Sequence, residues 1–351
     1  MFKDCIASTL LPWQQGSGAD NDVVLDSRVR LVRNLREYRF PNRASKAELG
    51  AAETAVVAAV PRLDAIGAGE YECIKMPALT NAERELTATK HFISAALMNV
   101  PEHRAVIVRE DGAVSVMVNE ADHIVVQTAA AGFTVQKAAD DALRVDDALE
   151  ETLNYAFHEE FGYLTASPSM AGTGFLAGVT LHLPGLAAMK RLHRITQGIT
   201  KFGFVFMGVY SSSNTYIGNV FQITNQVTLG VTEEDIVTQL KKIVAHIIQE
   251  ERACRALLQA NEPDTVRDRL LRSYGLLSQA WLMEHEEALN LLSDFQLATT
   301  MGLIKAKPHA YTALAAVCEP AYIRAVGKSG LGEEAKVRAR LLRDTLQEYK
   351  D

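Results

Sequence analysis

Apolar residues along the chain are grouped in short runs that predict β-strands. Residues 105–108 and 114–118 are such runs, and the Asp111-Gly112 pair between them is typical of a tight turn, so this segment predicts a β-hairpin. Similar runs predict strands at 178–183, 204–210 and 220–224. Upstream, residues 23–25 lead into a stretch in which arginine alternates with apolar residues, as on a strand with one charged face.

Helical signals alternate with these strands and then replace them. Ser45 and Glu48 form a capping-box pattern that predicts a helix to about residue 60. Apolar spacing predicts further helices, and these cover 81–98, 138–157, 185–197 and a long segment that begins at Thr232. After a linker at 261–264 only helices are predicted. The expected fold class is therefore α+β, with an α+β domain over 1–255 and a small all-α domain over 256–351.

Two long spans, 161–189 and 202–232, contain no Lys, Arg, Asp or Glu. Their length resembles that of a membrane helix, but Ser, Asn, Gly, Thr and Pro interrupt both. Loops and strands with a buried face are the better interpretation, and no membrane association is expected.

Charge and cysteine content exclude several classes of protein. Against 36 Lys and Arg stand 43 Asp and Glu, a net charge of −7, so a nucleic-acid partner is not expected. The 4 cysteines are far apart and form no CxxC pair, which argues against a zinc site or a disulfide framework; no metal site is predicted. The N-terminus lacks the basic start and apolar stretch of a signal peptide, so a cytoplasmic location is predicted.

Two groups of polar residues are candidates for chemistry. Arg28 and Arg30 project from one strand face and are able to grip a phosphate chain, although a solvated strand edge is the commoner role of such arginines. Glu120, Asp122 and His123 follow the predicted hairpin, where they form either a general-base or metal cluster or simply a polar turn. No Walker A, GxSxG or HExxH motif occurs.

Taken in order, the motifs resemble those of the ATP:guanidino phosphotransferases (phosphagen kinases), most closely the bacterial protein arginine kinase branch. The segments that carry the resemblance lie at 25–34, 118–124, 161–169, 172–174, 181–184, 218–226 and 229–230, with the helical tail at 272–275 and 292–294. The resemblance implies an eight-stranded antiparallel sheet lined by helices. It also implies a site for MgATP and a guanidinium substrate, in which cations surround the triphosphate and carboxylates orient and deprotonate the guanidinium.

Several residues of the sequence match the family's functional positions. By resemblance, Glu120 and Asp122 are catalytic carboxylates, and Arg338 with Ala339 is what remains of a phosphoarginine-binding motif in the tail. The residues matched to nucleotide binding are Ser27, Arg28, Val29, Arg30, Leu31 and His91.

Six other positions depart from the family pattern. Three phosphate-binding arginines are replaced by Val125, Leu176 and Met207. The family has a second acidic residue directly after the one matched by Glu120, and here that position is Ala121. A catalytic cysteine of the family is replaced by Ser167, and a carboxylate of its substrate loop is replaced by Ser212. At about 1.5–3 kcal/mol for each hydrogen bond to a charged group, the three lost arginines remove about 5–9 kcal/mol of nucleotide or transition-state binding.

These departures predict a catalytically inactive member of the family that acts as a binding or scaffold protein. MgATP is the cofactor that the family implies, and its binding is predicted to be lost or weakened. The family implies protein partners: an intact kinase paralogue, a zinc-binding activator or Clp-type machinery, with a homodimer formed through the helical domain. The alternative is an active protein arginine kinase with a rearranged site.

Overall fold

The structure, a computed structural model, describes residues 1–16, 18–99, 102–210, 216–327 and 333–350. Its strands are β1 Val24–Arg33, β2 Tyr71–Lys75, β3 Ala105–Arg109, β4 Val114–Val118, β5 Ile124–Ala131, β6 Phe157–His158, β7 Gly162–Tyr163, β8 Phe175–His182, β9 Phe204–Gly208 and β10 Val220–Asn225. Short 3₁₀ turns lie at Pro12–Gln15, Met76–Ala78 and Pro168–Met170.

Fourteen α-helices lie in the described residues. They are α1 Phe2–Ala7, α2 Lys46–Ala58, α3 Val60–Ala65, α4 Asn81–Thr89, α5 Ala95–Asn99, α6 Val135–Glu150, α7 Pro184–Ala188, α8 Leu192–Thr200, α9 Glu233–Asn261, α10 Pro263–Gln279, α11 His285–Thr300, α12 Ala310–Cys318, α13 Pro320–Gly327 and α14 Glu334–Glu348. None of the helices in these ranges combines the length and apolar character needed to cross a membrane.

Eight strands form one sheet in the order β2-β3-β4-β5-β1-β8-β10-β9, and β6 pairs with β7 in a separate hairpin. The pairs from β2 to β1 are antiparallel, with Val32 opposite Val125 in the β1–β5 register. Both β3 and β4 are buried at every position, which explains why they are apolar apart from Arg109 and Ser115 rather than alternating. The elements confirm the predicted α+β class.

The chain divides into two compact units. One contains residues 1–18, 26–179 and 224–242, and the other contains 19–25, 180–223 and 243–351. The second unit has an apolar core in which Leu292 and Phe295 of α11 pack with Leu314 of α12 and Leu342 of α14. The domain boundary predicted at residue 255 stays a prediction.

Two segments that were each predicted to form one continuous helix are interrupted in the structure. The helix expected over 81–98 ends at Thr89, because His91 takes a left-handed backbone conformation (φ 60°) and Phe92 and Ile93 turn into the core. The basic helix expected over 185–197 is two helices, separated at Lys190, which also has a positive φ of 56°. Spacing of apolar residues cannot detect such a break, since the turn keeps the periodicity of both flanking segments.

A buried ion pair fastens three elements of the first unit. Arg33, 1% exposed at the end of β1, donates to Asp146 of α6 from Nη2 (2.6 Å) and Nε (3.1 Å). Its Nη1 donates to the backbone carbonyl oxygens of Val32 and Thr173, and its guanidinium lies 3.5 Å from the ring centroid of Tyr163. The strand, the helix and the loop before β8 are therefore all held by one side chain.

We expect Arg33→Met to lower the free energy of unfolding by about 3–5 kcal/mol, because it leaves the Asp146 carboxylate buried without its partner. Urea unfolding followed by circular dichroism measures the change. Arg39→Met is the matched control, since Arg39 makes a similar two-bonded pair with Glu48 at an exposed site, worth about 0–1 kcal/mol. Equal losses in the two variants would contradict the role assigned to Arg33.

Candidate active site

The alternation along β1 divides its residues between the core and the candidate site. Ser27, Val29 and Leu31 are buried, and the Ser27 hydroxyl donates to the Gly132 carbonyl oxygen at 2.8 Å. Arg28 and Arg30 lie half-buried on the opposite face. Of the five matched positions on this strand, the structure thus directs two side chains to one common surface.

Both arginines on that surface contact carboxylates of the protein itself. Arg28 donates to Asp26, two residues earlier on the same strand, through Nε (2.8 Å) and Nη2 (3.2 Å). Arg30 Nη2 donates to Glu120 Oε2 at 3.0 Å. Each guanidinium is therefore close to an acidic group before any ligand arrives.

Glu120 is held as an ionised carboxylate. Burial alone would raise its pKa, but the Arg30 guanidinium and hydrogen bonds from Ser94 and from the Ala121 backbone N–H outweigh burial and lower it. Its Oε2 accepts from both Arg30 and Ala121. One of its two carboxylate oxygens is thus already engaged twice.

Asp122 and His123 are fixed by contacts with the chain. Asp122 accepts from Asn34 Nδ2 and from the Ala166 backbone N–H, both at 2.6 Å, and burial raises the pKa of its carboxyl group. His123 is fully buried, accepts from the Leu35 backbone N–H through Nδ1, and burial lowers its pKa to about 4. These residues anchor the loops at 34–35 and 164–166 to the end of the hairpin.

His91 lies at the exposed turn that interrupts the predicted helix. Its backbone carbonyl oxygen accepts from Gln127 on β5 at 3.2 Å. The neighbouring Arg28 guanidinium is the main cause that lowers the pKa of the imidazole, to about 3. The charge of Arg28 therefore acts on His91, and the nucleotide-binding role matched to His91 stays a prediction.

The positions that depart from the family pattern have different environments. Val125 is completely buried on β5, Leu176 is half-buried on β8, and Met207 on β9 is 48% exposed. Ser167 is exposed, and its hydroxyl is 2.8 Å from that of Ser169. Ser212 lies outside the described residues.

In the helical region, Arg338 and Ala339 are both buried. Arg338 donates to the backbone carbonyl oxygens of Cys318 (3.1 Å) and Met283 (3.0 Å). Its guanidinium thus links α14 to the C-terminal end of α12 and to the loop before α11. A ligand would have to compete with these contacts.

Asp26 lies in the matched segment 25–34, but no role at the site was predicted for it from the sequence. Its place two residues before Arg28 puts both side chains on one strand face, so the alternation of β1 contained the signal. The contact of Arg30 with Glu120 joins positions 90 residues apart and requires the pairing of β1 with β5 and of β5 with β4. Within the described ranges, no three His, Cys, Asp or Glu side chains are grouped closely enough to hold a metal ion.

Comparisons with known proteins agree with this architecture. A family model for the ATP:guanido phosphotransferase C-terminal catalytic domain matches residues 52–254, and one for the protein-arginine kinase McsB C-terminal domain matches residues 263–351. The protein-arginine kinases of Bacillus cereus (strain AH187) and Bacillus anthracis (strain CDC 684 / NRRL 3495) are each 37% identical over 339 residues, 96% of either chain.

Solved structures share the fold at lower identity. Lombricine kinase is 22% identical with a TM-score of 0.60, over 71% of each chain. The duplicated taurocyamine kinase of Schistosoma mansoni, with bound transition state analog components, is 21% identical with a TM-score of 0.60, over 72% of this chain and 36% of that one.

The chain belongs to the ATP:guanidino phosphotransferase family. Its tail and its curated relatives place it in the protein-arginine kinase branch. This confirms the resemblance drawn from the motifs, and it confirms the guanidino-kinase fold with an antiparallel sheet, flanking helices and a helical C-terminal region.

We expect Arg28→Met to raise the pKa of His91 from about 3 toward the ordinary histidine value of about 6.5, because the main charge that disfavours the imidazolium is removed. NMR titration of the imidazole protons measures this change. Arg36→Met, which removes an exposed arginine at residue 36, is the control and should leave the His91 titration in place. An unchanged His91 pKa in Arg28→Met would contradict the contact.

Proposed function

We propose that this chain is a member of the protein-arginine kinase branch that does not transfer phosphate and that acts by binding other proteins. The observation that supports the proposal is that the phosphate-binding cations are either replaced or already paired with carboxylates. Three family arginine positions hold Val125, Leu176 and Met207, and the two arginines that remain are paired with Asp26 and Glu120.

The residues present do not fit the triphosphate of MgATP. A triphosphate needs several cations around it, since phosphoryl transfer is accelerated mainly by positioning and charge. Arg28 and Arg30 would first have to exchange their carboxylates for phosphate oxygens, and Val125 is fully buried and adds no donor. At about 5–9 kcal/mol, the loss corresponds to a factor of about 10³ to 10⁶ in binding.

The carboxylates do not fit the work of a guanidinium base either. Ala121 stands where the family has a second acidic residue, and Glu120 is turned toward Arg30. Asp122 accepts two short hydrogen bonds from Asn34 and Ala166 that secure the loops. The remaining acidic residues, Glu120 and Asp122, therefore make contacts that stabilise the fold.

A chain that keeps the kinase fold but lacks the catalytic residues is suited to binding other proteins. Partners of the kinds that the family implies are an intact kinase paralogue, a zinc-binding activator or Clp-type machinery, and the chain would work in the cytoplasm as a homodimer. The buried contacts of Arg338 with backbone carbonyl oxygens argue that phosphoarginine is not sensed at this helix.

Phosphoryl transfer to protein arginine is the second candidate function, and the name of the relatives favours it: the chain is 37% identical to proteins called protein-arginine kinase. The test is transfer of label from γ-labelled MgATP to an arginine-rich acceptor protein, scored as an acid-labile product. We expect label at the level of a blank without the protein, while one of the Bacillus kinases labels the acceptor in parallel. Product well above the blank would contradict the proposal.

Substituting arginine at two of the three positions should have different effects on stability, because the two positions differ in burial. Val125→Arg should destabilise the protein strongly, because position 125 is fully buried opposite Val32 and the guanidinium would leave water there, whereas Met207→Arg should change the melting temperature little at its exposed site. Thermal unfolding measures both, with Val125→Met as the control for the change in size. A fully stable Val125→Arg protein would show that the site is still open to a cation.

A further inference from the structure

An apolar surface is exposed on the first unit, in two segments that are distant in sequence. Phe157 and Phe161, in and beside the β6–β7 hairpin, are 55% and 44% exposed. Val227 and Leu229, in the loop after β10, are 47% and 50% exposed. We call these four residues the hairpin surface. Large apolar side chains exposed together usually mark a place where another molecule binds.

The two segments are joined through the glycine-rich loop before β8. Gly162 of the hairpin forms a bridge with Gly172, and the Thr173 backbone N–H donates to the Thr228 carbonyl oxygen at 3.0 Å. A Cβ atom added to Gly172 would lie only 2.7 Å from Leu229 Cα, so the loops touch at this point. The four side chains therefore belong to neighbouring backbone segments.

The aromatic side chains are held in place beneath this surface. The Phe157 ring packs edge-on against Tyr163 (5.2 Å between centroids), and Tyr163 stacks on the buried Arg33 guanidinium. Phe161 stacks with His158 at 4.9 Å. A surface that is ordered before binding loses less conformational entropy when a partner arrives.

The charges around the hairpin surface are acidic. Glu159 and Glu160 are exposed between the two phenylalanines. Burial raises the pKa of the Tyr163 hydroxyl, the buried Arg33 guanidinium lowers it, and the Glu150, Asp146 and Glu233 carboxylates raise it. Residues 145–189 and 202–240 contain nine acidic residues and not one Lys or Arg.

Arg36 lies beside the segment that precedes the hairpin. Its backbone N–H donates to the Asn154 carbonyl oxygen, and Glu37 accepts from the Asn154 side chain. A glutamate therefore stands beside this arginine at the far end of the hairpin. The exposed apolar centre keeps an acidic border.

We propose that the hairpin surface binds a cationic amphipathic segment of a partner protein, one in which Lys or Arg alternates with large apolar residues. The apolar side chains of that segment would cover Phe157, Phe161, Val227 and Leu229, and its cations would face Glu159, Glu160 and Glu233. The proposal names the kind of partner for the binding role proposed above and rests on that role.

Physical complementarity favours this occupant over others. Aromatic side chains at the centre of an interface contribute most of its affinity, and opposite charges at the rim accelerate association. An acidic segment would meet repulsion from the glutamates. A cation of either type satisfies the surface, so recognition should not require the guanidinium group.

The test is fluorescence anisotropy of a labelled synthetic peptide in which Lys alternates with Leu and Phe. We expect saturable binding, similar within about threefold for the peptide with Arg in place of Lys, and weaker by about tenfold or more for peptides with Glu in place of Lys or Ser in place of Leu and Phe. The lysine peptide cannot accept phosphate on arginine, so it reports docking alone.

Variants decide whether the peptide binds at this place. Phe157→Ser with Phe161→Ser should weaken binding by about tenfold or more, and Glu159→Lys with Glu160→Lys should weaken it mainly at low salt. The matched controls are Trp281→Ser with Leu282→Ser, an equally exposed apolar pair elsewhere, and Glu262→Lys with Asp264→Lys. Both controls should bind within about twofold of the unchanged chain.

Three outcomes would overturn the proposal: no saturable binding, equal loss in the control variants, or a preference for the Glu peptide. Loss of self-association in the Phe157→Ser, Phe161→Ser protein would assign the surface to a second copy and would also overturn it. A negative peptide result leaves the phosphoryl-transfer test untouched. Label transfer, in turn, would remove the proposed binding role even if the peptide bound.

Discussion

The Arg33–Asp146 ion pair is the contact on which the geometry of the first unit depends. A guanidinium out of water is stabilised only if nearly all of its donors are used, and Arg33 uses them on a carboxylate, on two backbone carbonyl oxygens and on the face of Tyr163. The same side chain therefore fixes the end of β1, the position of α6 and the loop that leads into β8. It also supports the ring on which Phe157 packs.

The arginines on the surface of β1 are paired with carboxylates of the protein itself, and this pairing determines the charge of that surface. A cluster of arginines without other partners would repel itself and would attract phosphate. Here Asp26 and Glu120 supply the counter-charges, and apolar residues occupy the three positions that the resemblance matches to further arginines. With fewer cations to balance, the surrounding loops need no charge of their own, which agrees with the two uncharged spans of the sequence. Their apolar residues are then available for contacts with proteins.

The sequence predicted the fold well where a local signal decides the structure. The Asp111-Gly112 turn specified the β3–β4 hairpin, and the Ser45–Glu48 capping box specified the start of α2. The helix expected over 81–98 was wrong because burial of Phe92 and Ile93 outweighs helix propensity there, a tertiary effect with no local signature. In the candidate site, motif order singled out Arg28, Arg30 and His91, and their roles stay predictions. It did not predict the contact of Arg30 with Glu120, which depends on strand register.

The most direct test of the central claim is calorimetric titration of the folded protein with MgATP, because the claim is that its cations are too few and already paired. The account predicts no saturable heat up to millimolar nucleotide, in contrast to a Bacillus protein-arginine kinase titrated in the same buffer. Saturable binding with a dissociation constant in the micromolar range would mean that Arg28 and Arg30 exchange their carboxylates for phosphate, and it would contradict the account.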